Sequence, residues 1–154
     1  MDTLNISLFG HRKIEDLKLL DDKLMPLVHE LIQMNPYVSF FIGRNGEFDE
    51  YAASVIKRVQ KILGKENSEI TLVLPYATAD MKYYEEYYDS VIIPESLYGV
   101  HPKSAITMKN RWMIDHSDLV IVNVERNCGG AYTAMKYAEK MQKKLINLCE
   151  DKSL

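Results

Sequence analysis

Cysteine is scarce in this chain: only Cys128 and Cys149 occur in 154 residues, far apart and outside any CxxC spacing. That argues against a disulfide framework or a structural zinc site and reads as two reduced thiols. No apolar run approaches the ~20 residues of a membrane span, and the N-terminus MDTLNISLF lacks a basic region followed by a long apolar core. A soluble, cytoplasmic protein without membrane contact is expected. An excess of one charge sign is also missing. Net charge is −3 with 27% charged residues and no long block of like charge, so extended DNA or RNA binding is not expected, while a local basic pocket is compatible. His11, His29, His101 and His116 show no metal-ligand spacing to one another, so no metal is expected. Neither GxGxxG nor GxxxxGK[ST] occurs, and nothing calls for a cofactor.

What is present is alternation. Leu4, Ile6 and Leu8 alternate with Asn5 and Ser7 and predict a strand ending at Gly10. Ile14, Leu17, Leu20, Leu24, Leu27, Val28 and Leu31 follow at helical spacing, with Pro26 inside the pattern as an expected kink or break. Tyr37 to Ile42 reads as a strand buried on both faces. Phe48, Ala52, Val55, Ile56, Val59 and Ile62 recover helical spacing, stopped by Gly64. Strands are further predicted over Ile70 to Leu74, Val91 to Ile93, Leu119 to Val122 and Leu145 to Leu148. DMKYYEEYYD reads as a short helix or an ordered loop, helices are predicted over Lys103 to His116 and after Gly130, and ESLYGVHP reads as loop. Strand and helix alternate from end to end without repeats or linkers. The expected fold is one Rossmann-like domain over residues 1–154, a three-layer α/β/α arrangement around a mainly parallel sheet of about six strands.

In such a sheet ligands bind beyond the carboxyl ends of the strands. The loops there are Gly10-His11-Arg12, the stretch GRNGEFD at positions 43–49, Pro75-Tyr76, and Asn123 to Gly130. Arg12, Arg44 and Arg126, three of five arginines, fall in those loops. Arginine where a helix N-terminus offers unpaired N–H groups suits a phosphate or other anion. The ligand-binding candidates are Gly10, Arg12, Gly43, Arg44, Gly46, Gly129, Gly130 and Thr133, with Tyr76, Asn110 and Arg111 behind them. Glu47 and Asp49 begin a helix, where the dipole favours carboxylates in any protein. In an enzyme, one of them would accept ribose hydroxyls or stabilise positive charge on a sugar during cleavage of its bond to a base. Tyr83, Tyr84, Tyr87 and Tyr88 offer either a stacking surface for a base or a face packed on the body or on a second subunit, which suits a homo-oligomer.

The stretches SLFGHRKI, FFIGRNGEFDEYAA, LVLPY, KNRWMIDHSDLVIVNV and GGAYTAMKYAEK, in this order, cover most of the chain. Together they resemble the SLOG superfamily, the Rossmann-like domains named after the DNA-processing protein Smf/DprA and the LOG cytokinin-activating enzymes, and within it the small stand-alone YpsA-like branch. The resemblance implies a pocket for a nucleotide or nucleotide-derived molecule, with phosphate near the glycine-rich turns. The LOG branch carries PGGxGTxxE; Gly129, Gly130 and Thr133 fit it, while Tyr132 replaces a glycine and Lys136 stands where the catalytic glutamate would be. Where that branch has RKxxM, this chain departs with Lys109-Asn110-Arg111-Trp112-Met113. These departures favour a sensor or sequestering module. The alternative is an N-glycosidic hydrolase or transferase, akin to a phosphoribohydrolase or a deoxyribosyltransferase, working through Glu47 or Asp49. A protein-interaction module using the tyrosines is a third reading.

Overall fold

A computed structural model describes residues 2–150. The elements run β1 (Thr3–Gly10), α1 (Leu17–Gln33), β2 (Tyr37–Ile42), α2 (Glu47–Leu63), β3 (Ser68–Val73), α3 (Met81–Tyr87), β4 (Ser90–Ile92), α4 (Pro102–Asp115), β5 (Leu119–Asn123), α5 (Gly130–Lys140) and β6 (Lys144–Asn147). The six strands form one sheet in the order β4-β3-β2-β1-β5-β6, and every pairing in it is parallel. The Rossmann-like three-layer architecture expected from the alternation is the one observed.

The period-two alternation of the strands sorts the core onto two faces. Ile6 and Leu8 of β1 and Leu119 and Ile121 of β5 pack with Leu20, Leu24, Val28 and Ile32 of α1 and with Phe48, Ala52, Val55, Ile56 and Val59 of α2. Phe9, Val120 and Val122 face the other way, onto Met113 and Ile114 of α4 and Ala131, Ala134 and Ala138 of α5. The small alanines of α5 let that helix lie close to the sheet. Tyr84 and Tyr88 of the α3 segment close the first core at the β4 edge.

Two local expectations are corrected. Pro26 neither breaks nor divides α1, which runs as one helix of 17 residues. Proline in a helix interior costs about 3 kcal/mol, but Pro26 faces solvent while Leu24 and Val28 on either side are wholly buried, so packing of the apolar stripe offsets the lost hydrogen bond. The segment ESLYGVHP is not all loop, since Glu95–Leu97 forms a 3-10 turn and His101 caps α4 by accepting from Lys103 N at 3.1 Å. Gly64 ends α2 at φ 90°, as its position beyond the last apolar residue suggested.

Strand order fixes where a ligand can go. The chain winds outward from β1 to β4, then returns to the opposite side of β1 to make β5. The resulting crevice lies between the carboxyl ends of β1 and β5, where Gly10 stands opposite Asn123.

Candidate functional site

That crevice holds a cleft of about 470 Å³. The β1 loop supplies Gly10, His11, Arg12 and Lys13. The β5 loop and the start of α5 supply Arg126, Cys128, Gly129, Gly130 and Ala131, α4 supplies Ile106 and Asn110, and Asp49 lies at its side. A side cleft of about 90 Å³ adjoins it between α4 and α5, sharing Ile106, Asn110 and Gly130 and adding Arg111, Thr133 and Tyr137.

His11 joins the two loops. Its buried Nε2 accepts from the backbone N–H of Glu125 at 3.2 Å and of Arg126 at 3.3 Å. An accepting Nε2 places the ring proton on Nδ1 and requires a neutral imidazole. Burial, and then the Arg126 charge, lower its pKa from 6.5. The unfolded chain therefore binds this proton more readily than the folded one. The stabilisation is complete above pH 6.5 and is lost as pH falls through the lowered native value. Denaturation midpoints followed from about pH 7 to 5 are expected to decline, and His11→Gln to flatten that decline; equal slopes in both proteins would sever the link to His11.

The first turn of α5 carries no side-chain cap, leaving its initial N–H groups to meet the cleft. Gly129 precedes it at φ 93°, a conformation that requires glycine. Gly130 has no such need, and a Cβ added there would meet nothing within 4 Å. The protein's own packing therefore makes no demand for glycine there and leaves the backbone open to the cleft. Next to it Asn110 is only 9% exposed, its carboxamide makes no hydrogen bond among the described residues, and its Oδ1 is wholly enclosed without a partner. Around the mouth Arg12, Lys13 and Arg126 are exposed and enter none of the ion pairs among the described residues. Glu15 is the acidic counterpart at the rim.

The α2 N-terminus behaves differently. It too has no side-chain cap, but its first N–H and its acidic side chains are engaged from within: Glu47 N donates to Arg12 O at 2.8 Å, Glu47 Oε1 accepts from Ile14 N at 3.3 Å, and Asp49 Oδ2 accepts from Asn45 N at 2.9 Å. Glu47 thus ties the β1 loop to α2 and does not line the cleft, whereas Asp49 does. Behind Asp49 lies Lys109, 1% exposed. A Cβ on Gly43 would stand 2.6 Å from Lys109 Nζ and 3.2 Å from Asp49 Oδ2, so this glycine makes room for two buried titratable groups that lie near each other without an ion pair inside 4.0 Å. Burial raises the Asp49 pKa and lowers that of Lys109, and each charge partly opposes the shift of the other.

Of the sequence candidates, Gly10, Arg12, Asp49, Asn110, Gly129 and Gly130 meet in the main cleft, with Arg111 and Thr133 in the side cleft. Gly43 and Gly46 lie behind it. Gly46 is packed against the Arg12 backbone, where a Cβ would stand 2.5 Å from Cα. Arg44 turns away to α3, 3.3 Å from Glu50, 3.4 Å from the Tyr88 hydroxyl and over the Tyr84 ring at 5.0 Å. Tyr76 is 42% exposed and lines neither cleft. Lys13, Ile106 and Arg126 were not among the candidates, although Arg126 already stood in the loop after the most apolar strand. Lys109 also escaped, although it falls in register with Ala105 and Met113 on the buried stripe of α4. Among the described residues no His, Cys, Asp and Glu cluster gathers as for a metal ion. No helix among them is long and apolar enough to cross a membrane.

No family model matches the chain, and no curated protein matches it in sequence. Solved structures do resemble it. DNA processing protein A from Helicobacter pylori, described for its single-stranded DNA binding mode, superposes with a TM-score of 0.65 at 18% identity, over 97% of this chain and 67% of that one. DNA processing protein A (DprA) from Streptococcus pneumoniae gives 0.67 at 14% identity over 92% of this chain, which spans about half (49%) of that protein. The structural-genomics target TM1055 gives 0.58 at 14% identity over 92% and 72% of the two chains. The fold is therefore shared with these proteins. The expectation that extended nucleic-acid binding is absent is corrected here: the same fold occurs in a protein that binds single-stranded DNA. Low net charge was a poor guide because local surface charge, not the total, attracts a strand.

Proposed function

We propose that the chain is a SLOG-type domain whose β1/β5 cleft binds a nucleotide or nucleotide-derived small molecule through its phosphate, as a sensor or sequestering module. The observation carrying this reading is the uncapped α5 N-terminus, with Gly130 open to the cleft and Arg12, Lys13 and Arg126 at its mouth outside every ion pair among the described residues. A phosphate there receives backbone N–H groups and the positive end of the helix dipole, while Arg12, Lys13 and Arg126 draw it in. The order of the sequence motifs and the shared fold support SLOG membership; the stand-alone YpsA-like branch rests on sequence resemblance alone.

An enclosed polar group without a partner costs about 1–3 kcal/mol. Asn110→Leu is therefore expected to leave the thermal midpoint of the empty protein unchanged or raise it, while weakening nucleoside 5′-monophosphate binding about tenfold in titration calorimetry. Destabilisation without loss of binding would make Asn110 a packing residue instead.

Asp49 favours a second reading, N-glycosidic cleavage, because it lines the cleft as a buried carboxylate with a raised pKa. Lys136 contributes nothing to such a step, since it pairs on the helix surface with Glu139 at 3.3 Å. Chromatography of the incubated monophosphates separates the readings: intact nucleotide supports binding alone, and free base with ribose phosphate supports cleavage. The Helicobacter pylori neighbour's ligand is also a phosphate chain, so a single-stranded oligonucleotide belongs in the same panel.

A further inference from the structure

Away from the cleft, α3 and the outer side of α2 form one face at the β4 edge, and the charges on it are sorted. Tyr84 of α3 is buried in the core. The helical period then puts Tyr83 and Tyr87 on one flank of α3, Glu86 outward and Glu85 on the other flank. The tyrosine flank is the one toward α2. Lys57 Nζ lies 3.8 Å from the centre of the Tyr87 ring, and the Arg44 guanidinium lies 5.8 Å from that of Tyr83. Lys61, one turn beyond Lys57, is exposed, as are Glu85 and Glu86. The face therefore runs from cations on α2, across tyrosines, to carboxylates on α3, where Lys82 is also exposed.

The two charged flanks are unanswered within the chain. Glu50 and Asp89 nearby are met by Arg44 at 3.3 Å and Lys65 at 2.9 Å. Lys57, Lys61, Glu85 and Glu86 enter no ion pair among the described residues. Burial and then the Lys65 charge lower the Lys57 pKa against the pull of Asp89, so a further carboxylate beside it is favoured. Between the flanks Tyr83 is 52% exposed and stacks on Tyr87 at 6.0 Å with an interplanar angle of 19°. A hollow of about 180 Å³ opens there, lined by these two rings with Tyr88, Arg44 and Glu50. None of these residues lines the β1/β5 cleft.

We propose that this face binds a second copy of the chain in a two-fold contact, with the Tyr83 rings at the axis and Lys57 and Lys61 facing Glu85 and Glu86 of the partner subunit. A two-fold contact uses the same patch on both copies, so the patch must complement itself. Cations on one side of an aromatic centre and carboxylates on the other meet that condition. A partner of one charge sign would be attracted to one flank and repelled by the other, whereas a second copy is matched on both. Half-exposed tyrosines at the centre of a polar rim are the anchors such an interface uses. The assignment stands on this face alone and does not depend on what fills the cleft.

The test is sedimentation velocity of the full chain from micromolar to submillimolar concentration. A reversible dimer is expected, weakened about tenfold by Tyr83→Ala. Lys57→Glu with Lys61→Glu makes both flanks acidic, and Glu85→Lys with Glu86→Lys makes both basic. Each of these variants alone should be monomeric, because like charges then meet across the axis. An equimolar mixture of the two should form a heterodimer, since every contact again joins opposite signs, and Tyr83→Ala in both members should weaken it by the same factor. Recovery on mixing also shows that the variants are folded. A wild-type monomer throughout, dimers indifferent to the charge reversals, a mixture that stays monomeric, or a heterodimer indifferent to Tyr83→Ala would overturn the assignment.

Discussion

Lys109→Met is expected to cost on the order of 3 kcal/mol of folding stability, more than any single change at the exposed rim of the cleft. The side chain is almost the length of the one it replaces, so the loss is electrostatic. Lys109 lies on the buried stripe of α4 with Ala105 and Met113, and its ammonium group faces Asp49 across the space that Gly43 leaves. Removing it takes the nearby positive charge from Asp49, which is 7% exposed and accepts from Asn45 N. Asp49→Asn is expected to destabilise in the same sense by stranding the ammonium. The double variant Lys109→Met, Asp49→Asn should recover much of the loss, because a neutral pair leaves no uncompensated charge. Urea denaturation of the four proteins gives the coupling directly, and single effects that add within about 0.5 kcal/mol would mean that the two charges do not interact.

Replacing Arg12 and Arg126 together by alanine is expected to lower affinity for nucleoside 5′-monophosphates on the order of a hundredfold, since a hydrogen bond to a charged group contributes about 1.5–3 kcal/mol and exposure discounts each. Affinity for the uncharged nucleosides should change little. The fold should survive, because both side chains are exposed and enter no ion pair among the described residues. Equal losses for nucleotide and nucleoside in calorimetry would show that the arginines act on the shape of the loops and not on a phosphate. Arg44→Ala serves as the contrast: its guanidinium is engaged by Glu50 and the α3 tyrosines, and cleft affinity should be retained.

The architecture was legible because its signals are local. Period-two runs such as Leu4-Ile6-Leu8 and the stripe Ala52-Val55-Ile56-Val59 report burial on one element at a time, and the alternation of such elements implies a parallel sheet. Pairing order is not local. That β5 lies against β1, bringing His11 to the N–H groups of Glu125 and Arg126, depends on contacts between segments far apart in the chain. The crowded stretch GRNGEFD illustrates the limit. Its glycines suggest ligand approach, yet Gly43 makes room for Lys109 and Asp49, Gly46 for the Arg12 backbone, and Arg44 is drawn to α3. Lys109, the Arg12 backbone and the α3 tyrosines all lie elsewhere in sequence. Gly130, in contrast, has no internal partner that explains it, and only the structure separates these two kinds of glycine. Lys109 left a legible trace as a lysine in register with buried residues, but the carboxylate that balances it was visible only in three dimensions.

The central claim is that the β1/β5 cleft receives a phosphate at the start of α5. Amide chemical-shift mapping of the isotope-labelled protein during titration with a nucleoside 5′-monophosphate tests it most directly. Saturable shifts are expected at Gly10, Arg126, Gly129, Gly130 and Ala131, abolished by Arg12→Ala with Arg126→Ala. Saturable shifts that leave Gly129 to Ala131 unmoved, or no shifts at all across a panel of monophosphates, would contradict it.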